Sequence, residues 1–74
     1  VHANLFQSLL YDAEFDNAIF LRKRVFVYRN GECVEPCSLV QRFTADSVII
    51  RCADGSRREV YHLRRLCRFQ TLTR

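Results

Sequence analysis

Four cysteines and two histidines are the residues best suited to covalent or metal chemistry in this 74-residue chain. Cys33, Cys37, Cys52 and Cys67 stand as C-x3-C followed by two gaps of fourteen residues. Four thiolates, or three of them with His62, would make up the tetrahedral set of N and S ligands that zinc takes. The spacing argues otherwise, because no C-x2-C pair is present and Cys52 and Cys67 fall where strands should turn side chains inward. Val34, Glu35 and Pro36 separate the first two thiols, so a thioredoxin-like C-x-x-C is absent as well. The cysteines are read as buried and reduced, which suits a cytoplasmic protein, and no metal is expected.

Nucleophilic catalysis has no better footing. His2 and His62 are the only histidines, and no local signature pairs either with a serine or a cysteine. Gly31 and Gly55 are isolated, so there is no glycine-rich loop to cradle a phosphate. The chain reads as a binding protein with no catalytic residues and no cofactor.

Charge is more informative. The net charge is +4, and eleven of the twelve cations are arginine, whose planar fork matches phosphate and whose plane stacks on bases. The first twenty residues carry Asp12, Glu14 and Asp16 and no lysine or arginine, whereas residues 51–74 carry seven arginines against Asp54 and Glu59. Such asymmetry points to an anionic partner. Aromatic residues interleave with the cations, the pairing that single-stranded nucleic acid requires: cations for phosphates and rings for bases. A small domain needs most of its phenylalanines inside, which leaves Tyr28 and Tyr61 as the available rings. The expected contact set is Arg22, Lys23, Arg24, Tyr28, Arg57, Arg58, Tyr61, His62, Arg64, Arg65 and Arg68, with RNA as the partner.

The elements that must carry these residues follow from periodicity. Leu5, Phe6, Leu9, Leu10 and Ala13 are spaced as one face of a helix, with Asn4 as its cap and Gln7 completing a weak capping box. The acids at 12, 14 and 16 would oppose the dipole of a helix ending among them, so it either stops near Ala13 or runs well beyond. A strand begins near Val25, and Asn30-Gly31 marks a two-residue hairpin turn. The return strand, Glu32 to Phe43, is interrupted by Pro36, which has no N–H to give to a ladder. A further strand from Ser47 to Cys52, an Asp54-Gly55 turn, a return from Arg57 to Tyr61 and a last short strand from Leu63 to Phe69 complete the chain. Val60, Leu63, Leu66 and Cys67 also fit helical spacing, so a basic helix is the alternative for that tail. No apolar run approaches the roughly 18 residues of a membrane span.

Helix, bent strands and turns in this order resemble the Sm-like family, and in particular its Hfq branch of bacterial RNA chaperones. Leu21-Arg22-Lys23-Arg24-Val25 resembles the basic run at the end of that family's helix, VFVYRNG its first strand, and LVQRFTADSVII the strands that follow. The resemblance covers Asn17 to Phe69. It implies a mainly β fold: a helical region over about 4–22, then a five-stranded, strongly bent small barrel, Sm-like or SH3-like, over about 24–69 of a single domain. It also implies a homo-oligomeric ring, a hexamer in the Hfq branch, that binds RNA, with Arg22, Lys23 and Arg24 on its rim. The chain departs from the pattern at Tyr61-His62-Leu63, where the family has Tyr-Lys-His, and at Thr44-Ala45-Asp46, where it has an aromatic. SVIIRCADGSRREVYHLRRL also resembles the Tudor pattern, so a Tudor-like or other SH3-like interaction module is the alternative.

Overall fold

The computed structural model describes residues 6–72, and the acidic triplet near the N-terminus decides how the chain begins. A nine-residue helix, α1, runs from Asp12 to Phe20, so Asp12 and Glu14 lie in its first turn, where carboxylates favour the positive end of the dipole. Glu14 Oε1 accepts the N–H groups of Leu10 (2.6 Å) and Tyr11 (3.0 Å), two donors the first turn would otherwise leave free. These bonds, Leu10 first, hold the Glu14 carboxyl below its usual range. The expectation of a helical region over about 4–22 is therefore corrected at its start, since the helix begins only at Asp12. Phe6–Ser8 form a short strand, β1, and only the far end of the helical region stands close to where it was expected; Asn4, the expected cap, lies outside the described residues. The local spacing is helical, but Phe6, Gln7 and Ser8 pair with Leu72, Thr71 and Gln70, so a long-range ladder overrides it and the acids mark the start of a later helix.

The helix closes with two bonds of a Schellman motif: the Arg22 N–H donates to Ile19 O (3.1 Å) and the Lys23 N–H to Ala18 O (2.9 Å). Arg22 sits at φ 52, the left-handed position usually given to glycine. Strands β2 (Val25–Arg29) and β3 (Glu32–Phe43) follow, joined as expected through Asn30 (φ 53) and Gly31 (φ 80), with Arg29 facing Glu32 across the turn. β3 is twelve residues long and bends at Pro36-Cys37, where Cys37 takes φ 48 and the register against β2 slips. Its first half pairs with β2 and its second with β4 (Ser47–Arg51).

The Asp54 loop runs two residues further than expected. Asp54 accepts the N–H of Ser56 (2.9 Å) and its hydroxyl (2.6 Å), and its carboxylate also meets Arg58 (3.3 Å), so the return strand β5 spans Glu59–Leu63 instead of starting at Arg57. A single turn over residues 64–66 is all that forms of the alternative basic helix, and β6 (Arg68–Leu72) follows it, later than the expected Leu63 to Phe69.

All pairings are antiparallel, in the order β1-β6-β2-β3-β4-β5. The protein is mainly β, but the expected closed barrel of five strands gives way to an open sheet of six, because β1 adds to the outer side of β6 and β5 ends the other side. The core between the curled halves of the sheet and α1 holds Leu9, Phe15, Ala18, Val25, Val27, Val40, Val48, Ile50 and Phe69. Among the described residues, no helix is long and apolar enough to cross a membrane.

Candidate nucleic-acid interface

Strand alternation sorts the expected contact residues into separate surfaces. On the outer face of β6 and β2, Arg68 lies opposite Tyr28 and Gln70 opposite Phe26. β1 brings Phe6 to the same face, packed edge-to-face on Phe26 with ring centroids 5.8 Å apart. Beside these rings a cleft of ≈ 600 Å³ opens, lined by Phe6, Tyr28, Leu66, Arg68, Gln70 and the Asn30-Gly31 turn. Two of the expected residues, Tyr28 and Arg68, thus meet at one site.

A second outward face belongs to β3, β4 and β5. Arg42, Ile49 and Tyr61 are directly opposite one another across the three strands, as are Arg51 and Glu59. Arg42 reaches Glu59 (3.4 Å) and the Tyr61 hydroxyl (3.5 Å), and Arg51 stands 3.9 Å from Glu59. Ile49 is buried although it lies outside the core cluster, because its cross-strand neighbours cover it from the outside. Tyr61 itself remains 66% exposed.

The Arg22-Lys23-Arg24 run emerges from the helix C-terminus next to Phe20, which is 82% exposed, the most open of the large apolar side chains among the described residues. Arg24 donates to Cys37 O (3.3 Å), tying that end of the run to the bend in β3. In the β4–β5 loop, Arg57 is exposed at φ 62 while Arg58 is paired with Asp54, whose carboxyl is held at about 2, chiefly by the Ser56 hydroxyl, then by the Ser56 N–H and by Arg58.

Arg64 and Arg65 are adjacent and differ completely in surroundings. The Arg64 guanidinium donates to Asp12 Oδ1 (2.8 Å), Thr44 O (2.7 Å) and Leu10 O (3.2 Å) and lies 4.8 Å from the Phe15 ring centroid and 5.8 Å from that of Phe43. It joins the start of α1 to the β3–β4 link and the end of β5. Arg65 is exposed on the rim of a ≈ 320 Å³ cleft shared with Arg68. His62 points inward and is half-buried; its Nε2 has no hydrogen-bond partner among the described residues, and burial pushes its pKa down, with a smaller opposing effect from Glu35 and a small reinforcing one from Arg29.

The cysteines divide. Cys52 is buried and Cys67 partly so, and burial pushes both thiols up, whereas Cys33 and Cys37 are exposed, contrary to the expectation of buried thiols. Cys33 faces outward opposite Tyr28, and Cys37 sits at the kink. Phe6, Phe20, Phe26, Arg42, Arg51 and Gln70 stand outside the expected contact set, because each gains its position only from strand pairing or from the late start of α1. Comparison of the chain with protein-family models, with curated proteins and with solved structures finds no match in any of the three.

Proposed function

We propose that this chain is an RNA-binding protein of the Sm-like type, in a cytoplasmic setting that keeps its thiols reduced, acting in post-transcriptional regulation or as an RNA chaperone. The observation that carries the reading is a set of uncommitted cations. The side chains of Arg22, Lys23, Arg29, Arg57, Arg65 and Arg68 make no hydrogen bond or ion pair to another described residue, and five of the six are exposed. Cations of this kind, on a surface that also presents rings, meet phosphates and release counterions.

The succession of strands supports the fold side of the reading. A helix, a short strand, a long bent strand, two further strands, a single turn and a last strand returning beside the first is the order an Sm-like or SH3-like small barrel calls for, with β1 as an addition. The homo-oligomer belongs to the same proposal and would form through the open sheet edges. A Tudor-like interaction module is the second reading, favoured by the cluster of Phe6, Phe26 and Tyr28, since a ring cluster also suits a methylated cation.

Fluorescence anisotropy with a labelled single-stranded RNA, titrated at several salt concentrations, tests the reading. A log–log salt slope of about −3 or steeper, the value for four or more phosphates on single strands, is expected. Molar mass in solution with and without that RNA tests self-association. A chain that stays monomeric and ignores RNA at low salt would sink the proposal.

A further inference from the structure

The uncommitted cations say that an anion binds, not where a base would sit. We infer that the cleft on the outer face of β1, β6 and β2 is a nucleotide-binding subsite for single-stranded RNA, an inference that rests on the RNA-binding reading above. Its walls combine the three kinds of group a nucleotide needs. Phe6 and Tyr28 supply rings, with Phe26 braced edge-to-face behind Phe6. Gln70 and Asn30 bring side-chain amides, each carrying both a donor and an acceptor, which matches the mixed edge of a nucleobase. Arg68 supplies a guanidinium that bonds to no other described residue.

Charge decides between the two ligand classes that a ring cluster suits. A methylated lysine or arginine needs rings with a carboxylate nearby, or at least no cation. Among the described residues the only charged side chain in the lining is Arg68, directly opposite Tyr28. A cationic ligand would meet a cation, whereas a nucleotide places its base against the rings and its phosphate towards Arg68. The site also depends on β1, since Phe6 reaches this face only because it pairs with Leu72 at the edge of β6.

The experiment uses the whole chain and a fluorescein-labelled, unstructured ten-nucleotide RNA. Tyr28→Leu should weaken binding about 5- to 100-fold, the effect of losing one stacked base, and leave the salt slope unchanged. Arg68→Gln should weaken binding and make the slope shallower by about 0.7, one phosphate fewer. Phe6→Ala, at an exposed position, should weaken binding as Tyr28→Leu does, and circular dichroism checks that each variant keeps the fold. Wild-type binding that none of the three substitutions alters would overturn the subsite and leave the general RNA reading standing. Failure of the wild type to bind at all would remove both. Tight binding of a trimethyl-lysine peptide in place of RNA, abolished by Tyr28→Leu, would assign the cleft to the other ligand class and overturn the inference.

Discussion

Arg64→Ala and Arg65→Ala should have opposite consequences, although the two residues are neighbours of the same type. Arg64 has a side chain only 16% exposed, donates to two backbone carbonyls and one carboxylate, and packs on Phe15 and Phe43. Asp12 is 71% exposed on its side, so the ion pair itself contributes about 0–1 kcal/mol. Each bond from a charged donor to a carbonyl contributes roughly 1.5 kcal/mol at the low end, partly recovered by water once the arginine is gone. The contact with two rings adds about 0.5–1 kcal/mol. The sum is about 2–4 kcal/mol, a large share of the ~4–11 kcal/mol expected for a domain of this size. At roughly 4–8 °C per kcal/mol, the melting temperature should fall by about 8–32 °C, read by circular dichroism and confirmed by urea denaturation. Arg65→Ala should change stability by less than about 0.5 kcal/mol and instead weaken RNA binding with a shallower salt slope. Neutralising both together would mix a folding effect with a binding effect. An Arg64→Ala protein that keeps its melting temperature and loses RNA would refute the assignment of Arg64 to the fold.

Two further outcomes follow from the geometry. Arg22→Gly removes a left-handed arginine from the Schellman position and should raise stability by about 1 kcal/mol while lowering RNA affinity, so that denaturation and anisotropy move in opposite directions. The half-buried imidazole of His62 has its pKa lowered in the folded chain, so the unfolded chain binds the proton more readily. Stability on this account is fully present above the ordinary value of 6.5 and is lost as pH falls below it, and His62→Leu should flatten a stability profile measured between pH 7 and 5.

Legibility in the sequence was uneven for physical reasons. Asn30-Gly31 could be read directly, because a type I′ turn needs two residues that tolerate positive φ, and both adopt it. Pro36 likewise announced the break in β3, since it has no N–H to donate. The Asp54-Gly55 turn was visible in position but not in length, which is set by where the Asp54 carboxylate finds Ser56 and Arg58. The N-terminus misled because Phe6, Leu9 and Leu10 have helical spacing, while the strand at Phe6–Ser8 is made by pairing with β6 at the other end of the chain. Arg64 could not be told from Arg65, as the difference lies in Asp12 and Leu10, more than fifty residues away in sequence. Most of the phenylalanines were expected inside, yet Phe6 and Phe20 are exposed and the core closes around Phe15 and Phe69.

The unequal margins of the sheet carry a consequence for symmetry. One outer strand, β1, is three residues long and the other, β5, is five. Two copies joined β5 to β5 form an isologous contact with a two-fold axis, which uses up the longer margin and stops at a dimer. Joining β5 of one copy to β1 of the next is heterologous and propagates, closing into a ring if the rotation allows and running on as a filament if it does not. The stoichiometry of the particle in solution therefore reports which margins have met, before any interface is seen.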